Sequence, residues 1–149
     1  MARTDYHEQV AALCYRIRND TIEILLIKSQ GQGRWILPKG WPMKNKSARK
    51  AALTEAYEEA GVEGRVSRNP VGRFYYEKQV SKGRTLSCQA ETYPVKVRRL
   101  KKRYPERDVR ERRWFSQERA IRAVDGESLR TLLISFDPLR QNQSLKKAA

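Results

Sequence analysis

The chain has 149 residues, enough for one hydrophobic core and too few for two domains of ordinary size. Its 32 Lys and Arg against 17 Asp and Glu give a formal net charge of +15, a surface that attracts polyanions and repels basic partners. No apolar run is long enough to span a membrane, and the only cysteines, Cys14 and Cys88, stand in apolar strand-like runs without metal-ligand or disulfide-framework spacing, so a reducing, cytoplasmic setting is expected.

From Val10 to Arg18 apolar and polar residues roughly alternate, and Ile22 to Ile27 is a β-branched-rich run. Asn19-Asp20 between them are turn residues, so the two segments are expected to form a hairpin. Gly31 and Gly33 precede Trp35-Ile36-Leu37, a brief strand that Pro38 ends, and a Gly- and Pro-punctuated loop is expected from Pro38 to Lys46. Ser47 is placed to cap a helix running to Ala60, with Gly61 where a left-handed C-terminal cap is wanted. Strands follow at Val71 to Tyr76 and Leu86 to Val97, joined through a turn at Lys82-Gly83, and Trp114-Phe115 is a last short strand. Ser116 is placed to cap a helix ending near Val124. A second helix sets Leu129, Leu132, Leu133 and Phe136 at i, i+3, i+4 and i+7. Strands and helices in this order indicate one α/β or α+β domain over residues 1–139, with a basic tail at 140–149 expected to be disordered.

Wound as an α-helix, the segment from Ala48 to Ala60 gathers Leu53, Ala56, Tyr57 and Ala60 on one side and Glu55, Glu58 and Glu59 on the other. Like charges at i, i+3 and i+4 repel, and a divalent cation would relieve them. Ala51 and Ala52, one turn earlier, leave space for a ligand above the carboxylates. A bare glutamate triplet is more often a solvated helix face than a metal site. The glycines that bracket this helix shift the balance.

The stretch from Gly40 to Val62 resembles a Nudix box, G-x5-E-x7-R-E-U-x-E-E-x-G-U with U aliphatic. Gly40, Glu55, Ala56, Glu58, Glu59 and Gly61-Val62 fall on the motif, while Lys46 stands where it has its first glutamate and Thr54 where it has arginine. In the family those two usually form a supporting ion pair, and here both members are absent together, so neither the glutamate nor the arginine is left without its partner. Gln9 to Arg16, Trp35 to Gly40, Gly83-Arg84-Thr85 and Arg112 to Ile121 are similar in order and spacing to the diphosphoinositol-polyphosphate phosphohydrolase branch, which also hydrolyses dinucleoside polyphosphates.

The resemblance implies an α/β/α sandwich around a central mixed sheet and hydrolysis of a phosphoanhydride bond, with a dinucleoside polyphosphate or an inositol pyrophosphate as substrate. It implies Mg²⁺, or Mn²⁺ in its place, held by Glu55, Glu58, Glu59 and the Gly40 carbonyl, with Glu55 as ligand or water activator. Mg²⁺ takes oxygen ligands and retains some of its waters, which suits such a set. Arg16, Lys39, Arg84, Arg110 and Arg112 are the candidates for binding substrate, and Glu77 and Glu91 are spare carboxylates that would complete a metal shell. Trp35 is expected in the core, Trp41 is balanced between core and base-stacking, and His7, expected near a mobile terminus, receives no role. A second reading, from the ten basic residues between Lys96 and Arg113, is a nucleic-acid-binding or RNA-processing module on a weakened catalytic scaffold. A phosphorylated small molecule is the expected partner and no membrane is; the sequence says nothing of the oligomeric state.

Overall fold

The computed structural model describes residues 5–31 and 33–139, so the tail expected at 140–149 lies outside the described residues. The strands are β1 (His7–Arg18), β2 (Thr21–Lys28), β3 (Trp35–Ile36), β4 (Lys39–Gly40), β5 (Val62–Val66), β6 (Gly72–Ser81), β7 (Arg84–Leu100) and β8 (Arg112–Ser116). The helices are α1 (Ala48–Ala60), α2 (Gln117–Ala123) and α3 (Glu127–Ser135).

Asn19 and Asp20 turn the first hairpin in left-handed backbone, φ 51° and 61°, which their short polar side chains tolerate. The turn sets Tyr15 opposite Ile24 and Ile17 opposite Ile22. β1 then lies at the centre of a mixed sheet in the order β3-β2-β1-β7-β5, with β4 on β1, β6 on β7 and β8 on β2. The β1–β7 ladder is parallel and the other ladders are antiparallel.

Two cores flank this sheet. On one face Val10, Ala12, Cys14, Leu25 and Ile27 pack against Ala51, Ala52, Ala56 and Ala60 of α1. On the other, Ala11, Leu13, Ile24, Leu26 and Phe74 pack against Ala120, Leu129, Leu132, Leu133 and Phe136. The result is the α/β/α sandwich, and each fully covered Leu or Ile contributes roughly 2 kcal/mol of apolar burial. Trp35 packs against the second core, edge-on to Phe115 with centroids 4.9 Å apart, while Trp41 is exposed.

Four expectations are corrected. Val10 to Cys14 are all buried because a central strand covered on both faces needs apolar residues at every position, so the apparent alternation does not mark a half-exposed strand. His7 begins β1 opposite Cys88. Within the expected Pro38–Lys46 loop, Lys39 and Gly40 form β4, because β2 leaves β1 after Tyr15 and opens its edge at Val10 and Ala11. β5, a strand between helix and Val71 that the sequence does not announce, is a short edge strand bulged at Glu63/Gly64. A side chain at Gly64 would meet the Lys96 carbonyl.

Candidate active site

The helix that carries the glutamates is fixed at both ends. The Ser47 hydroxyl accepts from the Lys50 N–H at 3.4 Å, and Gly61, at φ 68°, returns its N–H to the Ala56 and Tyr57 carbonyls. Its buried side is Ala51, Ala52, Ala56, Glu59 and Ala60, whereas Tyr57 faces outward. The expected division of the helix is therefore corrected: Glu59 belongs to the face that meets the sheet. Ala51 and Ala52 make room for strands and not for a ligand, since alanines let the helix pack closely, and that closeness draws Glu59 out of water.

Glu59 is only 6% exposed. The Lys39 backbone N–H points at both its carboxylate oxygens at 3.4 Å, and the Arg110 guanidinium stands 3.7 Å from one of them. Its carboxyl also hydrogen-bonds that of Glu55. Burial first, and this shared proton second, push Glu59 up to about 8, with Arg110 opposing. Burial raises Glu55 as well. Gly40 lies directly against Glu55, so close that a Cβ there would overlap its carboxylate. Glu58 is partly exposed and acts on Glu55 through its charge. Among the described residues no three acidic, histidine or cysteine side chains converge on one point. The expected ligand set is thus drawn together as the pair Glu55 and Glu59 against Gly40, with Glu58 beside it. An oxygen-only donor set in which burial and proximity favour the protonated form of two carboxyls suits a hard divalent cation, which would compete with that proton.

The candidate cations separate sharply. Lys39 connects the two faces of β4. Its N–H serves Glu59, and its ammonium lies over the Tyr76 ring, 4.8 Å from the centroid, where burial lowers it to about 8. There it lines a cavity of about 860 Å³, walled by Ile36, Leu37, Phe74, Tyr75 and Tyr76, with Arg34, Lys78 and Lys82 also contributing. Arg110 is 12% exposed and braces Glu59 and Glu106, the latter at 3.2 Å, and its Nε has no partner among the described residues.

Arg112, expected at the substrate, instead donates to the Ala60 carbonyl at 2.8 Å and stacks over Tyr104, holding the C-terminus of α1. Arg16 pairs with Glu23 at 2.7 Å and covers the Trp114 ring, away from the cavity lining. Arg84 is exposed just past the Lys82-Gly83 turn; Lys82 and Thr85 line the cavity and Arg84 does not. Glu77 accepts from Ser87, and Glu91 is held by Arg73 and Tyr93, so neither spare carboxylate joins Glu59. No motif in the sequence announces Arg34, Lys78 and Lys82, which the fold brings to one cavity from the segment before β3 and from β6 and its turn.

The NUDIX domain family model matches residues 7–133. The chain belongs to the Nudix family. It is 33% identical to Nudix hydrolase 21, chloroplastic, of Arabidopsis thaliana over 135 residues, covering 88% of this chain and 66% of that protein. It is 30% identical to mouse diphosphoinositol polyphosphate phosphohydrolase 2 over 151 residues, covering 96% of this chain and 80% of that one. The matches span 59% and 58% of Arabidopsis Nudix hydrolases 13 and 12, so this chain corresponds to well under the whole of those relatives. In fold it is similar to the Ap4A hydrolase of C. elegans, with a TM-score of 0.60, 19% identity and coverage of 96% and 99% of the two chains. The NUDIX domain of Shewanella oneidensis NrtR, solved with ADP ribose, is similar at a TM-score of 0.64 and 12% identity, with coverage of 99% and 91%.

Against the Nudix box, the two departures prove to be partners. Lys46 donates to the Thr54 hydroxyl at 2.9 Å, and that hydroxyl donates to the Lys50 carbonyl at 3.0 Å. A neutral-acceptor hydrogen bond stands where the motif has an ion pair.

Proposed function

We propose that this Nudix protein hydrolyses a phosphoanhydride bond in a nucleoside polyphosphate, with a dinucleoside polyphosphate favoured over an inositol pyrophosphate. The observation that carries this reading is the buried Glu55–Glu59 carboxyl pair against Gly40, one residue from a lysine whose ammonium lines the cavity. Glu55, Glu58, Glu59 and the Gly40 carbonyl are the groups to hold Mg²⁺ or Mn²⁺. When bound, the ion would neutralise phosphate oxygens and lower the pKa of a water. Lys39 holds a phosphate at the junction of cavity and glutamates, while Arg110 keeps Glu59 in place. Phe74, Tyr75 and Tyr76 offer faces to a base. An inositol pyrophosphate would meet the cations of the same cavity, Arg34, Lys39, Lys78 and Lys82, but would leave the three ring faces without a planar partner.

The test is a panel containing a dinucleoside polyphosphate, a nucleoside diphosphate conjugate and an inositol pyrophosphate, each with Mg²⁺, with Mn²⁺ and with chelator. Cleavage that needs the metal and collapses in Glu58→Gln and Glu59→Gln is expected. Equal turnover by wild type and both variants would remove the proposal.

A nucleic-acid-binding reading keeps one observation in its favour. Of the ten basic residues from Lys96 to Arg113, Arg99, Lys101, Arg107, Arg110 and Arg113 have acidic partners and Arg112 caps α1. Lys96 instead faces Arg65 across β5 and β7, both exposed, and neither forms an ion pair among the described residues. Like charges directly opposite are destabilising without an anion between them. Binding of single-stranded RNA that loses roughly one logarithmic unit per contacted phosphate per tenfold salt, and that drops in Arg65→Glu/Lys96→Glu, is the expected signature. Salt-independent binding would exclude it.

A further inference from the structure

The Lys46–Thr54 contact gives this chain a cation where the Nudix box has an anion. Lys46 precedes the helix cap, after Asn45 in left-handed backbone at φ 65°, and its N–H bonds the Met43 carbonyl at 3.2 Å, so the loop aims it back along α1. Its side chain ends on Thr54 at 2.9 Å. An ammonium has three N–H donors, and the Thr54 hydroxyl accepts one of them. No acidic side chain among the described residues forms an ion pair with Lys46, and the residue is exposed.

Thr54 adjoins Glu55 in sequence and precedes Glu58 by four residues, so Thr54 and Glu58 share one helix stripe, roughly 6 Å apart along the axis. An anchored, otherwise unpaired cation therefore stands about one helical turn from Glu58, on the loop between β4 and α1. A glutamate pairing with an arginine here would leave no net charge. A lysine on a threonine leaves a full positive charge, with its direction set by the hydrogen bond.

We propose that Lys46 is a specificity-determining residue that binds an additional phosphate of a polyphosphate chain, and that Thr54 is the positioning residue that orients it. The inference rests on the polyphosphate reading above and narrows it. A substrate with more phosphates in line gains more from Lys46 than one with two.

The experiment measures binding of inorganic pyrophosphate and tripolyphosphate to the full chain by calorimetry with Mg²⁺ present, alongside kcat and KM for any substrate found. Lys46→Met is compared with Lys50→Met, an exposed lysine on the neighbouring helix turn whose loss changes net charge equally. Lys46→Met is expected to weaken tripolyphosphate about tenfold and pyrophosphate much less, consistent with losing one charge-assisted hydrogen bond. It should raise KM with little change in kcat, while Lys50→Met changes either by less than twofold. Thr54→Val should reproduce part of the loss and Thr54→Ser restore it. Lys46→Glu/Thr54→Arg, which writes the motif's own pair into this chain, should keep kcat and still lose tripolyphosphate affinity.

Equal affinities for Lys46→Met and Lys50→Met would overturn the inference, as would full tripolyphosphate affinity in the double variant, which would make the contact a simple loop clasp. Should no phosphoanhydride be cleaved while Lys46→Met still loses tripolyphosphate, the hydrolase reading fails and the phosphate contact stands.

Discussion

Gly40 and Glu55 are in direct contact: the α1 carboxylate occupies the space that a side chain on β4 would need. Neither backbone has much freedom, because Gly40 is paired opposite Val10 and Glu55 belongs to a helix capped at both ends. Gly40→Ala must therefore move the carboxylate or break the β4 pairing. Displacing a reacting group by about 1 Å costs on the order of 100-fold in rate. The variant is expected to fold, since only the flexible end of Glu55 must shift, and to lose about that factor in kcat. Turnover within threefold of wild type would show that Glu55 acts from another position.

The helix that carries this site is legible in the sequence because its ends are local chemistry. Ser47 and Gly61 cap it where they are expected, just as Asn19-Asp20 turn the first hairpin and Ser116 caps α2. What lies between the caps is less legible. Glu55, Glu58 and Glu59 look equivalent in the sequence, and only packing against β1 buries Glu59 and leaves Glu58 partly exposed. The same holds for the cations: Lys39 and Arg112 each open a short strand, and tertiary contacts send one into the cavity and the other to a helix end. β4 and β5 have no strand pattern of their own, since their pairing is imposed by the edges of β1 and β7.

The raised Glu59 carboxyl makes the stability of the metal-free protein depend on pH. Its folded value, about 8, lies above the unfolded 4.5, so between these limits the folded state holds a proton that the unfolded state has released. The contribution is present in full below pH 4.5 and is lost as pH rises through about 8. Chelated protein should unfold at progressively lower denaturant as pH goes from 5 to 8, and Glu59→Gln should flatten that slope. Glu63, Glu91 and Glu111, whose folded values are lowered by partners, act below 4.5 and do not mask it. Identical slopes for wild type and Glu59→Gln would show that Glu59 ionises normally. A divalent cation competes with the same proton, so added Mg²⁺ should raise the melting temperature more at pH 8 than at pH 6.

Arg110 stands between Glu59 and Glu106 with little exposure, so removing it takes away a guanidinium that opposes protonation of Glu59. Arg110→Met, which keeps much of the packing, is expected to cost about 2 kcal/mol in urea unfolding, the scale of a lost charge-assisted contact. It should also shift the Glu59-dependent slope to higher pH. A variant with unchanged midpoint and unchanged slope would mean that the guanidinium contributes nothing at this distance.

Arg112 and Lys39 separate holding the helix from the proposed holding of substrate. Arg112→Ala removes the donor to the Ala60 carbonyl and the stack on Tyr104. Capping contacts at a helix C-terminus act on stability at the scale of about 1 kcal/mol. The expected result is a loss of that size with KM nearly unchanged. Lys39→Met removes a partly buried cation from the cavity wall while leaving the backbone N–H that meets Glu59. Its desolvation cost disappears with it, so stability should hold or rise slightly as KM for a polyphosphate rises about tenfold, the value of one charge-assisted hydrogen bond. If instead Arg112→Ala raised KM and Lys39→Met did not, the substrate would lie at the C-terminal end of α1, and the cavity beneath β6 would have to be given up as its seat.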